Sequence, residues 1–329
     1  MIHFIEKEIN LADIDLMDRT YLFTFEPIIS GMVKSIQEIG LLNHPILRKK
    51  PNRPTYILIS GLKRVLALMH LNHRVVTARI IDEDQSVTEA ELFRLALFEN
   101  LSIRPLNPIE KSIIVSKLHY YFRLGMKEIM DGYFEQLSLG ANQKVFQIYL
   151  RLDELEDNIK ISILEDFISP ETGYYFLRFD SEDRNSLYYL IHELKLGKNR
   201  QREFMKLLEE ISKRDDMKIS KIIGKDAIQA VFSRDDLNIS LKQVMLRHIL
   251  RKMRYPSLSK AEERFYGLRK NLKLPPGIDL KPPENFEGDM YQIELKFKNH
   301  QEFAEQIRIL QKIVADDKLK DLDGILNVL

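Results

Sequence analysis

The chain has 329 residues, 44% of them hydrophobic and spread along its whole length, which suits folded cores in two or three domains and excludes a disordered chain. It has no cysteine, which excludes disulfides, thiolate zinc sites and cysteine nucleophiles. Its 50 Lys and Arg balance 49 Asp and Glu, and the net charge of +1 argues neither for nor against a nucleic-acid partner. No run of about 18 apolar residues occurs, so no membrane span is expected. The start, MIHFIEKEIN, has no basic patch followed by an apolar stretch, so it does not read as a secretory signal. A cytoplasmic protein is the simplest expectation.

The first expected elements are mixed. Ile2 to Ile5 and Pro45 to Leu47 read as strands, Tyr56 to Ile59 as a buried strand, and Val75 to Ile81 as another. Ile28 to Ile39 and Lys63 to Leu71 carry helical apolar spacing. Between strand and helix, Ser60-Gly61 forms a turn in which glycine lets the backbone bend tightly and a ligand approach it. Exposed amides at the helix start favour an anion, and Lys63 and Arg64 add positive charge in the same turn. The segment is a phosphate cradle or an ordinary connection.

From Thr88 to about Tyr255 the chain reads as almost wholly helical, with Pro105 and Pro108 marking the change. Glu99 and Asn100 follow an apolar helix. A carboxylate and an amide side by side can hold a hydrated magnesium ion on a phosphate, or they can simply close the helix. Asn107 is expected to cap the next helix, with Pro108 in its first position. In LGANQKVFQIYLRL, Leu139 to Leu152, Gly140 makes a turn and Val145, Ile148, Leu150 and Leu152 supply apolar contacts. Asn142, Gln143, Lys144, Gln147 and Arg151 are of the types that read base edges and phosphates, or they form the wet face of a plain helical domain. The stretch from Lys242 to Lys273 is dense in Lys and Arg, with Glu262 and Glu263 its only acids. It is a basic surface for phosphate or a solvated helix face.

The last part changes character. Ser259 can cap a helix to about Leu272, and Ile278 and Leu280 suggest a strand. Tyr291, Ile293, Leu295 and Phe297 alternate with polar residues, as in a half-buried strand. Phe303, Ile307, Leu310, Ile313 and Val314 then share one face of a closing helix. Roughly 70 residues with so few apolar positions make a thin core that calls for a partner.

Several of these residues carry a family resemblance. Ser35, Ile36, Gly40, Leu41 and Leu42 precede Pro45-Ile46. The strand follows, then the turn GLKR, then EN and LNPIE. This order resembles the N-terminal domain of the ParB family of DNA-binding partition proteins, in which the glycine-basic turn and the EN segment bind cytidine triphosphate (CTP) with magnesium. The resemblance implies that Ser60, Gly61, Lys63, Arg64, Asn100 and Arg104 hold the nucleotide. It implies that Glu99 and Asn100 serve the metal and any hydrolysis, leaving a weak CTPase activity open. It makes 139–152 the second half of a helix-turn-helix and likens the C-terminal helix-strand-strand-helix to the ParB dimerisation domain.

The expected fold class is therefore α+β. It comprises a small mixed ParB-like domain over 1–112, an all-helical helix-turn-helix domain over 113–256, and a small α-β-β-α dimerisation domain over 257–329. The implied function is a homodimeric, nucleotide-switched clamp on double-stranded DNA, nucleoid-associated, acting in chromosome or plasmid segregation. The alternative is a sequence-specific transcription regulator on the same scaffold with a degenerate pocket.

The sequence departs from the family pattern in places. Ile103 stands where the family has arginine, with Arg104 beside it. Asn43-His44 replaces a glutamine with one residue inserted, and MDRTY stands in place of a proline-rich stretch. Lys127 to Leu139 is about a turn longer than the family's first motif helix. Many ParB proteins carry a basic N-terminal arm that stimulates a partner ATPase. This chain starts almost directly in a strand, so a ParA-type partner is left unassigned. The ParB fold also resembles sulfiredoxins, which need a cysteine, and free serine kinases, which would not need a helix-turn-helix. A nuclease would need an acidic cluster for two metals, and none is evident in the sequence.

Overall fold

In the computed structural model the described residues are 2–51, 53–81, 86–286, 288–322 and 324–325. They fall into two compact units, Met1–Phe179 and Asp180–Leu329. Both boundaries expected from the sequence, after 112 and after 256, lie inside these units.

The first unit opens with β1 (Phe4–Asn10), β2 (Ile14–Asp15), α1 (Ser30–Ile39), β3 (Ile46–Lys49), β4 (Tyr56–Ser60), α2 (Leu62–His70) and β5 (Val75–Ile81). The sheet order is β1-β5-β3-β4-β2. β1 is antiparallel to β5, β5 parallel to β3, β3 antiparallel to β4, and β4 parallel to β2. Strand alternation sends the apolar residues to two faces. Leu47, Leu58, Val76, Ala78 and Ile80 meet Ile36 of α1 and Val65 and Leu68 of α2. Ile46, Ile59 and Ile81 join the opposite core with Leu92, Phe93, Ala96 and Leu97. β1 runs five residues beyond the expected Ile5. It is an edge strand whose outward Glu6, Lys7 and Glu8 hide its pairing with β5 from an apolar pattern.

Helices complete the unit: α3 (Glu89–Leu101), α4 (Pro108–Ser116), α5 (Met126–Tyr133), α6 (Gln143–Arg151), α7 (Asp157–Leu164) and α8 (Pro170–Phe176). Thr88 and Glu91 form a reciprocal cap on α3, and Asn107 and Glu110 form another on α4, which has proline in its first turn as expected. α4 continues through a π-helical turn, Lys117–Tyr121. Ile114 and Val115 of α4 share the core of Ile59, Phe93, Phe134 and Phe146, so one face of the sheet and these helices have a common core.

The second unit begins with α9 (Ser181–Glu193), α10 (Lys198–Asp215), α11 (Ile219–Ile223), α12 (Asp226–Phe232) and α13 (Ile239–Arg254). Leu187, Leu190, Phe204, Leu208, Ile222 and Ile228 are buried among them. Then come α14 (Pro256–Leu272), β6 (Ile278–Lys281), β7 (Gln292–Leu295) and α15 (His300–Ala315). α14 starts before the expected cap at Ser259 because Pro256 occupies its first turn. β6 and β7 are antiparallel, with Ile278 opposite Leu295. Phe265, Leu280, Phe286 and Ile313 form the core here.

The strand expected over Tyr291 to Phe297 is shorter, and its alternating face is half-buried: Tyr291 stacks on Phe265, while Ile293 is 43% and Phe297, beyond the strand end, 51% exposed. One expectation needs correction here. The single apolar face expected on α15 divides in two. Ile309 and Ile313 turn inward, while Phe303 and Val314 turn to solvent. Among the described residues no helix is long and apolar enough to cross a membrane.

Candidate functional site

β4 ends at the buried Ser60, and Gly61 takes a left-handed conformation, φ 102° and ψ 24°, from which α2 starts at once. A Cβ at Gly61 would lie 3.0 Å from both Cα and Cβ of Pro45. Glycine is required here twice over, by its positive φ and by this close approach.

Arg64 is only 7% exposed, and it tolerates burial because its guanidinium is engaged. Nη2 donates to Glu99 Oε1 at 2.5 Å, and Nη1 donates to the His44 carbonyl at 3.2 Å. The Ser60 hydroxyl donates to the other Glu99 oxygen. Asn100 Nδ2 donates to the Ala96 carbonyl at 2.8 Å and to Ser60 Oγ at 3.4 Å. The sheet face that carries Ile46 and Ile59 packs on α3, and this packing brings the far end of α3 to the Gly61 turn. Ser60, Gly61, Arg64, Glu99 and Asn100 thus meet as one cluster, with the half-exposed Lys63 at the helix start.

Arg104 is placed differently. It forms a two-pronged pair with Glu110, Nη1 to Oε2 at 2.6 Å and Nη2 to Oε1 at 2.7 Å. Glu110 is 1% exposed and also accepts the Asn107 amide at 3.1 Å. Arg104 therefore clasps the EN segment to the start of α4, its guanidinium bonded to Glu110 and, at 3.3 Å, to the Pro105 carbonyl.

The donors suit a hard cation. The Glu99 carboxylate and the Asn100 carbonyl oxygen are the ligand types that magnesium takes alongside water and phosphate oxygens. Among the described residues no group of three or more His, Asp or Glu could hold a metal with protein ligands alone. A glycine turn opening a helix beside Arg64 and Lys63 suits a polyphosphate.

The segment carrying MDRTY is pinned by residues that the sequence did not single out. Lys117 of the π-helical turn donates to the carbonyls of Arg19, of Thr20 at 3.2 Å and of Leu22 at 2.7 Å. Burial, aided by nearby Arg19, pushes its ammonium down to about 8. Lys50 pairs with Asp15 at 2.7 Å and Asp18 at 3.0 Å, and its hydrogen bond holds Asp15 below the usual carboxylate range. The Tyr21 hydroxyl donates to Glu89, which also takes Arg48 at 2.8 Å. Burial pushes the Tyr21 phenol up.

The helix-turn-helix segment comprises α5, the turn and α6. The extra length between Lys127 and Leu139 is taken up by the turn. α5 ends at Tyr133, Phe134 and Leu137 drop into the core, and Ser138 adopts φ 52°. On α6, Phe146, Ile148 and Leu150 are buried, and Phe146 was not among the expected contacts. Asn142 caps the helix, its Oδ1 accepting the Val145 amide at 2.9 Å. Arg151 is paired with Glu154, Nε to Oε1 at 2.8 Å and Nη2 to Oε2 at 2.7 Å. Gln143 and Lys144 are exposed and Gln147 is half-buried, with the two glutamines one turn apart on one face.

No protein-family profile matches the chain. It is 29% identical over 166 residues to a nucleoid occlusion protein of Oceanobacillus iheyensis, covering 50% of this chain and 54% of that one. It is 30% identical over 132 residues to a probable chromosome-partitioning protein ParB of Campylobacter jejuni, covering 40% and 45%. The chain spans about half the length of these curated relatives. A C-terminally truncated ParB of Caulobacter crescentus, crystallised with CTP-gamma-S, is 16% identical and covers 52% of this chain and 91% of its own. Its TM-score of 0.26 is too low to carry any residue across. The first unit thus joins a mixed sheet, a glycine turn at a helix start and a helix-turn-helix segment. The sequence similarities support a ParB-family protein.

Proposed function

We propose that the chain is a ParB-type DNA-binding protein of the nucleoid occlusion kind, a homodimeric clamp switched by a nucleoside triphosphate. The observation that carries the nucleotide reading is the convergence of Ser60, Gly61, Arg64, Glu99 and Asn100 on one helix start. Nucleoid occlusion takes the place of the segregation role expected from sequence because several of the similar curated proteins bear that name. Nothing favours the transcription-regulator alternative.

In this reading the amides opening α2, with Arg64 and Lys63, receive the phosphates, and Gly61 lets them come close to the main chain. Glu99 and Asn100 would hold magnesium, which supplies charge neutralisation between phosphate oxygens when bound. CTP is the nucleotide that the family resemblance implies. Arg104 acts through Glu110 as a positioning residue between the nucleotide site and the helices. Gln143 and Gln147 face the major groove, where amides can pair with adenine edges, and Lys144 reaches a phosphate. α14, the β6–β7 hairpin and α15 form the dimer contact.

Selection from random duplex DNA followed by binding assays tests the DNA half of the reading. Gln143→Ala should weaken the selected site by about 1–3 kcal/mol and spare background binding, while Lys144→Ala should weaken all sequences alike and flatten the salt dependence. Failure to enrich any sequence, with the two variants behaving identically, would remove α6 as a reading head.

A further inference from the structure

We propose that Glu99 is an internal stand-in for a ligand phosphate. In the free protein its carboxylate occupies the anion position made by Arg64 and Ser60, and an arriving polyphosphate must displace it. This rests on the nucleotide reading above and adds to it the residue that sets when the site can be filled.

Arg64 is the fixed partner. It is buried, its second nitrogen is held by the His44 carbonyl, and the Gly61 backbone behind it is pressed against Pro45. Glu99 is the partner that can leave, because it sits in the last turn of α3 and is only partly buried. Both of its oxygens are in use, one by Ser60 and one by Arg64. A cation lying on the phosphates competes with the Arg64 guanidinium for this carboxylate, since two positive charges beside it repel each other. A bare polyphosphate therefore meets a neutralised Arg64 and a like-charged Glu99. A divalent cation arriving with the phosphate gives the carboxylate another partner and frees the guanidinium. The metal dependence of binding thus resides in Glu99.

The test is calorimetric titration of the full chain with sodium tripolyphosphate in the presence of chelator. Glu99→Gln keeps the shape and removes the charge, and it should bind about ten- to a hundredfold more tightly than the wild type. Magnesium should then raise the affinity of the wild type and leave that of Glu99→Gln nearly unchanged. Equal or weaker chelator-phase binding by Glu99→Gln, with an unchanged circular dichroism spectrum, overturns the proposal. Should that variant fail to fold, the wild type alone decides. Tripolyphosphate affinity that does not change on adding magnesium overturns the proposal as well. The two levels separate through CTP with magnesium. A wild type that binds neither CTP nor tripolyphosphate with magnesium overturns the nucleotide reading itself, whereas one that binds both with unchanged metal dependence in Glu99→Gln overturns only the role given to Glu99.

Discussion

The cluster at the end of β4 and the hairpin at the end of the chain solve opposite problems. Around Gly61 the buried polar groups find partners inside the chain: Arg64 has Glu99 and His44, and a short way along, Glu110 has Arg104 and the Asn107 amide. Around β7 and α15 the apolar groups are only partly covered, Phe297 and Phe303 packing on each other at the surface. Ile293, Phe297, Phe303 and Val314 stay open to water on a unit whose core rests on Phe265, Leu280 and Ile313. Burying a charge without a partner costs several kcal/mol, so the first region has to be complete in itself. Leaving a methyl group wet costs far less, so the second can stay open until the proposed second copy covers it.

The largest effect should come from the open region. Replacing Ile293 and Phe297 together by aspartate should cost the proposed dimer roughly 3–6 kcal/mol, from the lost burial of two large side chains. It should leave the monomer folded, because both residues are exposed in the single chain. Sedimentation at micromolar concentration should show a monomer, and a persistent dimer would move the contact elsewhere.

In the closed region, Glu110→Ala should destabilise the first unit by about 3–5 kcal/mol, because it leaves Arg104 unpaired and removes half of the α4 cap. Chemical denaturation reads this directly. A loss under about 1 kcal/mol would make the clasp an ordinary surface pair.

A smaller effect should follow pH. Lys117 titrates near 8 in the folded chain against 10.5 ordinarily, so between those values the unfolded chain binds more protons. Stability should therefore rise with pH across that window, on the order of 1–3 kcal/mol, with the three carbonyl acceptors offsetting part of the shift. In Lys117→Met the rise should disappear. An identical pH profile in the variant would show that Lys117 stays protonated throughout.

What could be read from the sequence follows from range. The Gly61 turn is legible because glycine, a strand end and a helix start are neighbours in the chain. The partner of Arg64 is not, because Glu99 lies 35 positions away and only the packing of α3 on the sheet brings them together. The Asn107 cap was visible in four consecutive residues, whereas the commitment of Arg104 to the same Glu110 was not, since an arginine beside an EN segment fits a phosphate equally well. The alternation on β7 gave the right apolar residues, but periodicity cannot say whether a face is covered by its own chain or by another. β2 spans two residues and pairs in parallel with β4, too short a signal for any pattern. Lys117 stands in sequence as one lysine in an apolar helix, and nothing local marks the three carbonyls it holds.

The Gly61 cluster is either a triphosphate site or a closed internal ion-pair network. Calorimetric titration of the full chain with each of the four nucleoside triphosphates and magnesium, repeated with Arg64→Ala, tests this most directly. CTP should bind best, and the folded Arg64→Ala protein should lose about ten- to a hundredfold in affinity, the worth of one charge-assisted contact. Absence of heat with every triphosphate, or unchanged binding in Arg64→Ala, would contradict the assignment.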